Sequence, residues 1–235
     1  MWPFSKKKHR LLVVSLSPQH LVCSVLEKSN KKDFQCALLA YERTSLKRLE
    51  FAQAIPFNTT SLKNMITRFI KKHQLQNIES ALSVSGPRVL EKIITVTNAH
   101  PEKKDFNLPE LKTAQWESLY LCPSQKNGFD FFVCAMEPYH LFSYKLLAQQ
   151  CGMHLTTLTT AKLAHLYLYK YLHAQQFRQA KLSLDLLQQR YDVHTLCPEK
   201  DVIDAVEFHL KTPIDAKREA LFLKSSLGLF LAERS

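Results

Sequence analysis

Ser15 and Ser17, set in the stretch LLVVSLSPQHLVCSVL from Leu11 to Leu26, are the first residues whose types and spacing bear on chemistry. An apolar run bends at Ser15-Leu16-Ser17-Pro18 and a second apolar run follows, the pattern of a strand, a tight turn and a returning strand. A turn of this kind can cradle a nucleotide phosphate when glycine lets backbone amides approach and a carboxylate holds the hard cation. Ser17 carries a Cβ where amides would have to approach, and the Ser15 hydroxyl has no charge to offer a cation. Only four glycines are present, Gly86, Gly128, Gly152 and Gly228, so no G-x-G-x-x-G or P-loop can be assembled. We expect no nucleotide cofactor.

Other reactive constellations are equally sparse. No serine stands in G-x-S-x-G; the nearest stretch, SVSGPRV, reads as a hairpin turn. Asp201, Asp204 and Glu207 are in helical phase but His209 is not, which favours an exposed acidic helix face over a metal site. Cys23, Cys36, Cys122, Cys134, Cys151 and Cys197 form no C-x-x-C pair and most lie in apolar segments. They read as buried, reduced thiols of a cytosolic protein, with a secreted three-disulfide chain as the competing reading. No catalytic residue and no metal are expected, and the chain is not read as an enzyme.

Charge points to surfaces. The net charge is +11, and 18 of the 32 basic residues but only 9 of the 21 acidic ones fall in the first 110 residues. Such an excess attracts nucleic acid or an anionic membrane. Trp2, Phe4, Lys6, Lys7, Lys8 and Arg10 form an aromatic and basic tip suited to membrane contact, although a soluble tail has the same composition. Lys63, Arg68, Lys71 and Lys72 could track phosphates, but no recognition motif accompanies them and a solvated helix face explains them as well. A basic nucleic-acid-binding module is therefore the alternative function. The apolar run after the basic start breaks at Ser15, so a cleaved signal is not expected, and no window reaches the roughly 18 apolar residues of a membrane span.

The elements that would position these residues follow from periodicity. Three strands are expected at Leu11–Ser17, Gln19–Lys28 and Asp33–Thr44, then an amphipathic helix through NTTSLKNMITRFIKKHQ. Two strands about Gly86-Pro87 come next, with a short helix at LPELKTAQWESLYL and a buried strand at FDFFVCAM. A helix from Pro138 to Cys151 should stop at a left-handed Gly152, and HLTTLTT should return as a strand. The chain after Thr160 reads as helical, then as a short strand DVHTLC and a last helix capped at Thr212. The result is an α/β protein with a mixed sheet and flanking helices, and its 46% hydrophobic content suffices for a sizeable core.

That order and several stretches resemble the actin-like pilus assembly protein PilM of type IV pilus systems, an FtsA-related family. FSKKKHR ahead of LLVVSLSPQHLVCSVLEKSNKKDFQCALLAYE is similar to its opening, in which a lysine-rich start precedes an Asp-x-Gly-Ser-Ser phosphate turn. FVCAMEPYHLFSYKLLAQQCGMHLTTLTTAKLAHL is similar to the segment that closes the family's first half, and ALFLKSSLGLFLAER to its terminal helix. Ser15 stands where the family has its metal-side aspartate and Ser17 where it has the first glycine of the turn. The second phosphate turn, inserted subdomain and adenosine loop that the family carries would fall between about 174 and 182, and no such segment is present there.

The resemblance implies an actin-like (RNase H-like) first half retained over residues 11–175, with the second half largely lost. Residues 1–10 would be the basic tip, and residues 176–235 residual helices, a short strand and a closing C-terminal helix, all in one compact unit. It implies a shortened, degenerate, non-catalytic scaffold, cytoplasmic and peripheral to the inner membrane, that docks the N-terminal peptide of a PilN-like single-pass membrane protein. FNLPEL, Phe106 to Leu111, also resembles the short motif through which PilN inserts, with coincidence the plainer explanation.

Overall fold

The computed structural model describes residues 10–31, 35–46, 60–86, 89–109, 114–124, 127–174 and 198–232. Strands β1 (Arg10–Leu16), β2 (His20–Lys28) and β3 (Cys36–Ser45) form the expected antiparallel meander. Helix α1 (Thr60–Lys72) then crosses over and returns the chain to β4 (Glu79–Val84), parallel to β1. Strand β5 (Val89–Val96) opens a second sheet, which β6 (Gln115–Ser124) and β7 (Gly128–Met136) complete in the order β5-β7-β6.

Helix α2 (Pro138–Gln150), strand β8 (His154–Thr160) and helix α3 (Ala161–Leu172) lead back to the first sheet. Helix α4 (Glu199–Ala205), strand β9 (Val206–Phe208) and helix α5 (Ala216–Ala232) end the described chain. The large sheet has the order β8-β4-β1-β2-β3-β9.

Strand β1 is apolar on both faces because both faces are covered, as parallel-paired central strands require. Leu12, Val14 and Leu16 pack on one side with Ile66 and Phe69 of α1 and Leu147 of α2. Leu11 and Val13 face Ala164 and Leu168 of α3 and Leu223, Leu227 and Phe230 of α5 on the other. Ser15 shares the parity of Leu11 and Val13, so the alternation of the strand turns it toward the α5 side. The small sheet lays Leu119, Leu121, Phe132 and Cys134 on Leu163 and Leu166 of α3. Its other face is closed by Phe106 and Trp116 with Phe131, Val133 and Ala135.

Several expectations need correction. Of the short helix expected at LPELKTAQWESLYL, residues 110–113 lie outside the described residues, and from Gln115 the chain is instead β6, with Gln115 to Ser124 pairing antiparallel with β7. The alternation of Leu119 and Leu121 with polar Ser118 and the exposed Tyr120 is a strand period, and cross-strand pairing overrides the helix-like composition. SVSGPRV is not a hairpin turn, because β4 and β5 belong to different sheets. The last helix begins at Ala216, not after Thr212: Asp215 Oδ1 accepts the amides of Lys217 and Arg218 and is the N-cap. DVHTLC lies outside the described residues, and the short strand that is described is Val206–Phe208. Gly152 does take the left-handed conformation, with φ +73°.

Candidate functional site: a serine-lined cavity at the first hairpin

Beneath the β1–β2 turn lies a cavity of about 390 Å³. Ser15, Ser17 and His20 reach it from the turn, Ser83 and Ser85 from the end of β4, His165 from α3, and Phe222 and Ser225 from α5. The sheet register places Ser15 beside Ser83 in parallel pairing, and their hydroxyls are 2.9 Å apart. Ser225 Oγ and His165 Nε2 are 2.8 Å apart, both residues being buried. Among the described residues that line the cavity there is no Lys, Arg, Asp or Glu.

The turn consumes its own donors. Ser17 Oγ accepts the His20 amide at 2.9 Å and, more weakly, the Gln19 amide at 3.4 Å, while the Ser17 amide donates to the His20 carbonyl at 2.9 Å. This is a hydroxyl-closed turn, in which the side chain takes the place of an external acceptor. The Ser85 amide is likewise engaged, donating to the Leu16 carbonyl at 2.9 Å. A magnesium-bound phosphate needs free amides, a cation or a carboxylate, and the described lining residues supply no Lys, Arg, Asp or Glu and no amide of the turn that is unengaged. They do not fit that group.

One wall of the cavity is tied down by charge. Glu219 of α5 accepts from Tyr41 Oη and from Arg43 of β3, whose Nη2 is 2.9 Å from its Oε1. The Arg43 guanidinium also covers the Phe222 ring, 4.2 Å from its centroid, and His20 meets that ring edge-on at 4.9 Å. Burial, followed by the Arg43 charge, lowers the His20 pKa against the opposing pull of Glu219, which favours the neutral ring. Burial also raises the pKa of the Tyr41 hydroxyl, and its bond to Glu219 adds to the shift.

A second concavity, of about 310 Å³, separates the two sheets. Gln115, Trp116 and Glu117 of β6 line one side, Leu158 and Thr159 of β8 the other, and Leu141 of α2 the floor. Both β6 and β8 are edge strands of their sheets. The Thr159 hydroxyl reaches Glu117 at 3.4 Å, and Tyr167 Oη also donates to that carboxylate.

The other residues singled out in the sequence are dispersed. Arg68 and Lys72 both turn to Glu42 of β3, at 3.0 and 3.5 Å, so the basic face of α1 is partly neutralised from the neighbouring strand. Arg10 is the first residue of β1 and pairs with Glu27 at 2.8 Å, whereas Trp2, Phe4, Lys6, Lys7 and Lys8 lie outside the described residues. Asp201 bonds His173 at 2.8 Å and Asp204 is exposed. Glu207 is not on that helix face at all, because the chain has already become β9. Among the described residues no group of metal-ligating side chains converges. Cys23, Cys36, Cys134 and Cys151 are buried free thiols, and burial pushes Cys134 up to about 12 and Cys151 up to about 11. Phe106 packs edge-on against Trp116 and Phe131 of its own small sheet.

Glu207 gives a pH prediction. Lys31 Nζ at 2.6 Å and Ser29 Oγ at 2.7 Å bind its carboxylate, and the Lys31 bond, followed by the Ser29 bond, lowers its pKa from 4.5 to about 2. A lowered native pKa means the stabilisation is complete above pH 4.5 and is lost as pH falls toward 2. Glu207→Gln is expected to flatten the acid limb of the stability curve in that window. Superimposable acid limbs in urea titrations would refute this.

No protein-family model matches the chain, and no curated protein matches it in sequence. In structure it is similar to a chain of a PilM-PilN type IV pilus biogenesis complex, with a TM-score of 0.54 and 14% identity, covering 70% of this chain and 51% of that one. At this identity the likeness is one of fold, a mixed α/β fold with flanking helices. Weaker likenesses, on which nothing further rests, are to the cytoplasmic domain of EpsL and to a Bacteroides thetaiotaomicron protein. EpsL is an inner membrane component of the Vibrio cholerae type II secretion system; its TM-score is 0.42 at 11% identity, over 66% of this chain and 57% of that one. The Bacteroides protein has an actin-like ATPase fold; its TM-score is 0.37 at 12% identity, over 75% and 60%. The chain thus spans about half the length of the PilM-PilN chain it resembles.

Sequence reading found Ser15 and Ser17 but not Ser83, His165, Ser225 or Glu219. Sheet register and helix docking bring these four to the turn from positions up to about two hundred residues away, and no local motif announces them.

Proposed function

We propose that the chain is a non-catalytic scaffold of a type IV pilus or related secretion platform, acting at the cytoplasmic face of the inner membrane. The observation that carries this reading is the self-satisfied first turn on an actin-like frame: Ser17 has taken the amide donors that a phosphate would need. The partner is an extended N-terminal peptide of a PilN-like single-pass protein. The 310 Å³ groove between β6 and β8 suits it, because two edge strands offer backbone groups there and Leu141 and Leu158 offer apolar contact. Among the described residues no helix is long and apolar enough to cross a membrane, which is consistent with attachment through a partner.

Two measurements test this. A labelled PilN-type N-terminal peptide should be captured by the full chain, with affinity at least about tenfold weaker in Leu158→Arg, a loss of about 1.4 kcal/mol. Mg-ATP should leave the melting temperature unchanged, whereas a ligand at 100 times its dissociation constant would add about 2.7 kcal/mol of stability. No peptide capture, or a clear Mg-ATP shift, overturns the scaffold reading.

A further inference from the structure

Among the described residues, the cavity beneath the first hairpin has no Lys or Arg to hold an anion, yet it retains both volume and hydrogen-bonding capacity. Its roughly 390 Å³ falls within the range of small-molecule clefts, about 300–1,000 Å³. Two polar pairs converge on it from opposite sides, Ser15 with Ser83 from the strands and Ser225 with His165 from the helices. Each hydroxyl has one donor and two acceptor sites, so a single bond within a pair leaves capacity for a guest. Leu16, Val22, Leu221 and Phe222 give the remaining wall its apolar character, and Leu221 is 43% exposed at α5.

The charge balance of the described lining disfavours the obvious alternative. An anion entering here would give up water without meeting a Lys or Arg among the described lining residues, since Arg43 is committed to Glu219 and lies against Phe222. Burial and the Arg43 charge also disfavour the charged form of His20. An uncharged guest escapes that cost and still finds donors and acceptors.

We propose that this cavity is a binding site for a small uncharged molecule that presents hydroxyl or amide groups to the serine pairs and an apolar or planar face to Leu221 and Phe222. The site differs from the peptide groove in position and lining, so it does not rest on the scaffold reading.

Saturation-transfer NMR and thermal shift on the full chain test it, with adenosine and methyl β-glucoside as uncharged probes and AMP and inorganic phosphate as charged ones. Adenosine and AMP differ by one phosphate, which isolates the charge. Saturable binding of either uncharged probe is expected, with AMP at least about tenfold weaker than adenosine where adenosine is the probe that binds. Leu221→Trp, a change at an exposed position that fills the mouth, should abolish it, and Ser225→Ala should weaken it. Binding of neither uncharged probe, equal or tighter binding of AMP or phosphate, or binding that survives Leu221→Trp would overturn the proposal. Peptide capture measured on the same Leu221→Trp sample should be unchanged, so the two readings fail separately.

Discussion

Gly228→Ala is expected to be the most damaging of the alanine substitutions at Gly128, Gly152 and Gly228, lowering stability by at least about 3 kcal/mol. A Cβ at this position would stand 1.8 Å from the Ala164 carbonyl oxygen and 2.6 Å from its carbonyl carbon. Both atoms are backbone of α3, so no side chain can rotate away. The helices would have to separate, and Leu168, Leu223 and Leu227, all fully buried along the same seam, would lose their packing. For a domain of this size the loss corresponds to a fall in melting temperature of about 6–12 °C. Gly152→Ala is the control: nothing lies within 4 Å of its Cβ, and only the φ of +73° opposes it, a cost of about 1–2 kcal/mol. Equal melting temperatures for the two variants would refute the account of the α3–α5 crossing.

Glu219→Ala should come next, at about 2–3 kcal/mol, below the range for fully buried pairs because Arg43 keeps some access to water. The substitution leaves the Arg43 guanidinium and the Tyr41 hydroxyl without their acceptor at the contact between α5 and β3. It also has a spectroscopic signature. Glu219 raises the His20 pKa while Arg43 lowers it, so removing the carboxylate should move the His20 titration further down. An NMR titration in which His20 moves up, or a variant as stable as the parent, would show that Glu219 does not pin α5 to the sheet.

The elements were unevenly legible, for reasons visible in particular residues. Helix α1 announces itself because Leu62, Ile66, Phe69 and Ile70 keep a helical period against a basic outer face. Helix α2 carries its own stop in Gly152. Strand β6 was misread because Gln, Glu and Leu suit a helix in isolation, and only the register with β7 makes the alternation decisive. The Thr212-Pro213 start imitates a cap, but the hydrogen bonds belong to Asp215 three residues on. The acidic series from Asp201 to Glu207 dissolves for a similar reason: β9 pairs with β3, so Glu207 leaves the helical phase and meets Lys31 instead.

By itself the sequence determined the meander, the crossover helix and the absence of glycine at the first turn, because each is encoded within a few neighbouring residues. It also put serines, neither an acid nor a glycine, at positions 15 and 17. Only the tertiary structure decided that Ser17 closes the turn on its own amides, that Ser83, His165 and Ser225 converge there, and that Gly228 lets two helices touch. These are contacts between residues far apart in the chain. Their partners are chosen by register and helix docking, which local residue pattern does not carry.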